Sequence, residues 1–311
     1  MILSYFSDTH LRSNRPSCRI DEDYYALQLR KFEEAMRLSS ESDVSLHGGD
    51  FLHVHTPPLD LLSDVMRILQ FKGFKPLSVN PGNHDLFGAT TDTLDRCGLG
   101  VLDASGYLKI LHSYEQLLWS GQFKIILRSL PYQVQYPEEF YHFEAKSPDC
   151  VYIILAHDML TTRFVPFPHK DIHTLKTNAD VVLCSHWHSQ FTERVGNTLF
   201  VNSGPLDAQT VVEKHIKPAL VSLDIKAPDN ISMQFKFLTT TGYERIAVSD
   251  EVQQDLGLAD DFIQTLKISN VADGNDLQQL IETIAKEQGH SLGTVSRALN
   301  RVKEMQTCMG A

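Results

Sequence analysis

Apolar positions in the first hundred residues follow two alternating periods. Residues 2–7 form a short apolar run that predicts a strand and stops at Asp8. Across residues 21–40, Tyr25, Leu29, Phe32, Ala35 and Met36 recur at helical spacing, which gives one apolar helix face. Residues 44–47 predict a second strand, closed by Gly48-Gly49-Asp50. A second helix is expected over residues 59–71, entered through Pro57-Pro58. Residues 77–80 predict a third strand, closed by Pro81-Gly82-Asn83-His84-Asp85. The resulting βαβαβ order implies a largely parallel sheet covered on both faces.

The middle of the chain is richer in strands. Residues 123–130, 151–156 and 181–184 are apolar without alternation, as strands buried on both faces should be. Residues 192–195 and 198–201 flank Gly196-Asn197, a hairpin signal. Residues 219–225 and 231–238 predict a closing pair around Pro228-Asp229-Asn230. Strands on both sides of the midpoint predict an α/β (α+β) fold of two packed sheets with helices outside.

The pattern changes near residue 241, so the chain divides into 1–241 and a smaller region, 242–311. In the latter, residues 244–248 and 263–268 suit strands, and Leu277, Leu280, Ile281 and Ile284 suit an amphipathic helix stopped by Gly289. Leu292, Val295, Leu299 and Val302 repeat the helical spacing.

Composition narrows the function classes. With 311 residues, 42% hydrophobic and 22% charged, the chain is an ordinary globular protein rather than a disordered or fibrous one. Its longest apolar runs fall far short of the ~20 residues of a membrane helix, and residues 1–7 lack the basic stretch of a secretion signal. No membrane association is expected. The five cysteines (Cys18, Cys97, Cys150, Cys184, Cys308) form no CxxC pair, which suits reduced thiols in a cytoplasmic protein. The formal charge of −11 argues against nucleic-acid binding by bulk electrostatics.

Histidine changes that picture. There are 14, and the ends of the predicted strands collect them. The first strand ends in Asp8-Thr9-His10, the second in Asp50, and the third in Asn83-His84-Asp85. Residues 151–156 end in His157, and 181–184 end in Ser185-His186-Trp187-His188. Ligands of open α/β sheets gather at the carboxyl ends of strands. D-x-H and H-x-H also place both groups on one side of an extended segment. One isolated histidine at a strand end is usually structural; five clusters at strand ends point to a binuclear metal site. Oxygen and imidazole donors without thiolate suit Mn²⁺, Fe or Zn²⁺, with Mg²⁺ as a further alternative. Two such ions form a clamp for hydrolysing phosphate esters. They also add +4 locally, bringing the formal total to −11 + 4 = −7 and focusing positive charge where a phosphate would sit. His47, His55, His112, His142, His169, His173, His215 and His290 fall outside the clusters and are assigned to surface or packing roles.

D-x-H, G-D, G-N-H-D, a lone His and S-H-x-H, in this order, resemble the calcineurin-like metallophosphoesterase superfamily, from Asp8 to about Leu238. The resemblance implies a two-layer β-sandwich flanked by helices. It implies that Asp8, His10, Asp50 and His188 hold one metal, and that Asp50, Asn83, His157 and His186 hold the other. Asp50 would bridge, and a metal-bridging hydroxide would attack phosphorus. His84 would bind no metal; it would stabilise the transition state or protonate the leaving oxygen.

Within that superfamily, Ser7-Asp8-Thr9-His10-Leu11 and Gly49-Asp50-Phe51-Leu52-His53 resemble the SbcD-type DNA repair nucleases. The G-D-x-x-D-R-G motif of its protein phosphatases is lacking. This resemblance implies a Mn²⁺-dependent DNA nuclease with 3′→5′ exonuclease and/or single-strand endonuclease activity. It also implies a homodimer, an SbcC-like SMC-type ATPase partner, a role for His53 beside the substrate phosphate, and a C-terminal α/β capping region. A phosphodiesterase or phosphatase acting on nucleotides and a weakly catalytic metal-bearing scaffold are the alternatives. Arg12 stands where the nuclease motif has Gly, Ser185 precedes the H-x-H pair in place of Gly, and Asn202-Ser203-Gly204-Pro205 replaces N-P-G-S. None of these departures removes a ligand. Thr294–Asn300 is similar to the second helix of a DNA-binding helix-turn-helix, but few basic residues surround it, and partner docking suits it better.

Overall fold

The computed structural model describes residues 1–112, 115–133, 136–165 and 168–239. The expected region 242–311, with its capping role and its helices, lies outside the described residues.

The first sheet is built from β1 (Ile2–Phe6), β2 (Val44–His47), β3 (Leu77–Val79) and β4 (Leu108–Ile110), all parallel. The intervening helices are α1 (Tyr24–Ser39), α2 (Leu59–Leu69) and α3 (Gly98–Ala104). The second sheet contains β5 (Glu115–Ser120), β6 (Lys124–Leu130) and β7 (Cys150–Ala156). After a short pair, β8 (Leu160–Thr161) and β9 (Lys170–Asp171), it continues with β10 (Val181–Cys184), β11 (Phe191–Val195) and β12 (Thr198–Asn202). The chain then returns to the first sheet as β13 (Ala219–Ala227) and β14 (Asn230–Phe237). The strand orders are β14-β13-β1-β2-β3-β4 and β11-β12-β10-β7-β6-β5. Each sheet thus has a parallel centre with antiparallel strands outside it.

Strand side chains alternate between faces, which explains why the central strands read as unbroken apolar runs. Val151, Ile153 and Leu155 of β7 pack with Leu3, Tyr5, Leu46 and Val221 between the sheets. Tyr152, Ile154 and Ala156 face the other way, onto Tyr141, Phe143, Leu160 and Ile172. On the first sheet the outer layer is helical: Phe32, Ala35 and Met36 of α1 and Leu61 and Val65 of α2 cover Phe6, Leu77 and Val79. The two-layer sandwich is as expected, with helices on the first sheet. The second is covered by Tyr136, Tyr141, Phe143, Leu160, Ile172 and Leu175, from short segments between its strands.

Helix α1 starts three residues later than its periodicity suggests. Asp23 caps it, its carboxylate accepting from the Ala26 N–H at 3.0 Å. Helix α3 escapes sequence reading because it begins Gly98-Leu99-Gly100, and glycine is a poor helix former. Gly100 is needed there, since a Cβ would overlap the Leu94 carbonyl.

Candidate metal centre

The carboxyl ends of β1, β2 and β3 and of β7 and β10 converge on one rim between the sheets. The loops that leave them extend the sheet pairing. Asp8 N–H donates to Gly49 O (3.0 Å), His10 N–H to Asp50 O (2.9 Å), and Leu11 N–H to Phe51 O (3.0 Å). Asp8, His10, Asp50 and His186 adopt φ of 52°, 44°, 51° and 72°. Among the described residues only one other non-glycine, Ala89, enters that left-handed region. Four costly backbone conformations on four site residues mark where the fold sacrifices local comfort for side-chain direction.

Two groups of donors form. Asp8, His10 and His188 make one, and Asp50, His157 and His186 the other, each with ligand atoms within 4.8 Å of one another. Asp50 lies between them: its Oδ2 is 3.7 Å from His10 Nε2 and 3.3 Å from His157 Nε2. Asn83 Oδ1 is 3.2 Å from His157 Nε2. The structure therefore brings together all seven residues expected to ligate metal. A third group, His10, His53 and His84, adjoins the first.

The donor set fits divalent cations. His157 Nδ1 faces Gly48 O at 3.0 Å, and His188 Nδ1 faces Glu213 Oε1 at 2.8 Å. Each ring donates outward and presents its Nε2 inward. His10 Nε2 and His188 Nε2 lie 3.1 Å apart, so the two rings present their nitrogens to the same point. Burial opposes charge on His157, but Asp50 outweighs it and lifts the ring to about 9. Asp50 thus demands positive charge beside it, and a divalent ion meets the same demand. Burial holds His10 well below the usual imidazole range and His186 at about 3. These rings are accordingly neutral donors, the form a metal requires. Oxygen and nitrogen donors without thiolate complete the match; Cys184 is fully buried, its Sγ 3.6 Å from Val182 O.

Residues that touch no ion hold this arrangement. Buried Asp85 accepts the N–H groups of Phe51 (3.1 Å), Leu52 (2.8 Å) and Gly82 (2.9 Å), tying the Asp50 loop to the Asn83 loop. Burial, with Asp50 nearby, still pushes Asp85 up to about 7. A Cβ on Gly82 would overlap the Asp50 carboxylate and backbone nitrogen. His47 is fully buried between Phe6 and Phe51, with ring centroids 5.0 and 5.2 Å away. It accepts the Gly49 N–H on Nδ1 (3.2 Å) and meets Thr9 Oγ1 on Nε2 (3.3 Å), a packing role as expected. Ser185, standing in place of Gly, donates to Gly48 O at 2.6 Å and so supports His157's partner.

His84 and His53 form a pair at the half-buried mouth. Their rings stack 5.1 Å apart at 26°, and His84 Nδ1 lies 2.7 Å from the His53 carbonyl. His53 Nδ1 is 3.4 Å from His10 Nδ1. Tyr132, just past β6, packs against His157 and His186 with centroids 6.1 and 5.4 Å away. Sequence reading missed Tyr132 and Glu213. Tyr132 follows an apolar strand, the same strand-end position the ligands occupy, but carries no metal-ligating group. Glu213 lies in the 3₁₀ helix Val211–His215, where Thr210-x-x-Glu213 has capping-box spacing, a signal that marks the turn but not its partner His188.

Residues 5–190, more than half of the chain, match the family model of calcineurin-like phosphoesterases. The chain belongs to that family, whose members are metal-dependent phosphoesterases. No curated protein matches it in sequence. Among solved structures, an archaeal phosphodiesterase is 16% identical over 76% of this chain and 100% of its own, with a TM-score of 0.38. A putative 5′-nucleotidase from Staphylococcus aureus is 12% identical over 82% of this chain and 57% of its own, with a TM-score of 0.45. A purple acid phosphatase from yellow lupin is 14% identical over 76% of this chain and 51% of its own, with a TM-score of 0.47. Among the described residues no helix is long and apolar enough to cross a membrane.

Proposed function

We propose that the chain is a binuclear, Mn²⁺-dependent DNA nuclease acting as a 3′→5′ exonuclease and/or single-strand endonuclease. Asp8, His10, Asp50 and His188 hold one ion; Asp50, Asn83, His157 and His186 hold the other. Ions in those positions supply Lewis acidity and an activated water near neutral pH. The protein's own part falls to His84. Its Nδ1–H is given to the His53 carbonyl, so in the imidazolium form the second proton, on Nε2, is the one left to donate to the scissile phosphate or the leaving oxygen.

The His53–His84 pair carries this reading. His53 stands three residues past Asp50, where SbcD-type nucleases carry a histidine, and its carbonyl and ring set the orientation of the His84 ring. A homodimer, an SbcC-like ATPase partner and a cytoplasmic location belong to the same proposal and rest on the motif resemblance. The test compares Mn²⁺-dependent cleavage of linear DNA, a cyclic dinucleotide and bis-p-nitrophenyl phosphate. Cleavage of DNA is expected. Hydrolysis of the small diesters with DNA left intact would replace the nuclease with a small-molecule phosphodiesterase, and metal binding without hydrolysis would leave a scaffold.

A further inference from the structure

We infer that Arg12 is a phosphate-binding residue for the nucleotide next to the scissile one. The inference rests on the phosphodiesterase reading and deepens it. Arg12 lies two residues past His10. The Leu11 carbonyl accepts the His53 N–H at 3.0 Å, so the segments bearing Arg12 and His53 run side by side at the mouth of the centre. The Arg12 backbone is clamped by one buried amide. Its N–H donates to Gln28 Oε1 (3.0 Å), and its carbonyl accepts from Gln28 Nε2. Gln28 belongs to α1, so the base of the side chain is fixed to a rigid element. The guanidinium is then directed by neutral acceptors alone: Nε donates to Asn14 Oδ1 (3.2 Å) and Nη1 to Gln209 Oε1 (3.1 Å).

No carboxylate pairs with this half-buried cation among the described residues, and Nη2 has no protein partner. Among the described residues the other half-buried or buried arginines behave differently: Arg19 binds Asp21 and Asp207, and Arg128 binds Glu115. A planar fork held open, uncompensated and preorganised suits an anionic oxygen. Its position beside His53 and not within either donor group points to a neighbouring phosphate instead of the reacting one. In a chain with a net charge of −11, such a local cation has more to contribute to a polyanion than the surface at large.

The test uses the full chain with Mn²⁺ and Arg12→Ala, Arg12→Gln and Arg12→Lys. Binding of a fluorescent single-stranded oligonucleotide is read by anisotropy as a function of salt. Arg12→Ala and Arg12→Gln should weaken binding about tenfold and reduce the salt slope by about one. Arg12→Lys keeps the charge and should retain the slope while losing part of the affinity. In turnover, the loss on an oligonucleotide should exceed the loss on bis-p-nitrophenyl phosphate, which has no second phosphate, by about tenfold. Equal losses on both substrates would make Arg12 a structural residue, and wild-type affinity in Arg12→Gln would equally overturn the inference. Should Arg12→Ala not fold, the Gln and Lys variants decide, because Gln keeps a polar stem without the charge and Lys keeps the charge and most of the reach. Failure of the nuclease reading looks different: the wild type would hydrolyse the small diester and leave DNA intact.

Discussion

Glu213 offers the sharpest test of how the centre is held. Both its oxygens are in use: Oε1 is 2.8 Å from His188 Nδ1, and Oε2 accepts the N–H groups of Gln209 (2.6 Å) and Thr210 (3.3 Å). The residue is 4% exposed. Glu213→Gln keeps the shape but offers one oxygen where two are needed. If that oxygen stays on His188, an NH₂ group faces two backbone donors. If the amide turns over, NH₂ faces His188 Nδ1. Either way at least one charge-assisted hydrogen bond becomes a donor–donor contact, about 1.5–3 kcal/mol. Spent on a ligand's orientation and basicity, that is a ~10–100-fold loss of affinity at one of the two metal sites. Titration of the metal-free protein with Co²⁺, followed by calorimetry and visible absorption, should show one weakened equivalent and one unchanged. In zinc-loaded wild type, nitrogen NMR should find the His188 proton on Nδ1. Two unchanged equivalents in the variant, or a metal-bound Nδ1 in the wild type, would refute the positioning role.

Other perturbations separate chemistry, space and protonation. His84→Ala should keep both metals yet lose ~10²–10⁴-fold in turnover, the scale of a positioned acid–base group; full activity on every diester would exclude that role. Gly82→Ala should drive a methyl into Asp50, costing about 1–3 kcal/mol in urea unfolding, with a lowered metal count. An unchanged metal count would show that the loop yields. His47 is held down to about 3 by burial first and by His157 second. Below about pH 6.5 the unfolded chain takes up a proton that the folded chain refuses, so stability is complete above 6.5 and falls progressively toward pH 3. At pH 5 the loss is about 2 kcal/mol, 1.5 units at about 1.4 kcal/mol each. In chelator, His47→Gln should flatten stability against pH across that window; parallel curves would mean His47 does not titrate there.

Much of this centre was legible in the chain because its chemistry is local. D-x-H, G-D, G-N-H-D and H-x-H each place ligands by strand period and by a turn that a glycine permits. Which groups meet followed from one rule, that parallel strands deliver their ends to one rim. The illegible parts depend on distant partners. Glu213 reaches His188 across 25 residues from a short 3₁₀ helix, and Asp85 acts through three backbone N–H groups that no side-chain motif encodes. Arg12 was visible only as a departure from a motif; the Gln28 clamp gave it meaning. In the fold, β5 hid because Glu115-Gln116 begins it with polar residues, and α3 because glycines open it.

The placement of the donors has a mechanical consequence. Asp8, His10, Asp50 and Asn83 come from the first sheet, and His157, His186 and His188 from the second. Each proposed ion is therefore a rivet through both layers, fastened at one edge of the sandwich. At a hundred times its dissociation constant, each adds about 2.7 kcal/mol to the folded state, and that energy acts against the sheets parting or sliding at that edge. Away from that rim the sheets meet through apolar packing, with Leu3, Leu46, Val221 and Leu223 against Val151, Ile153 and Val181. Stripping metal should thus loosen the protein as a hinge opens, from the catalytic rim inward, rather than evenly throughout.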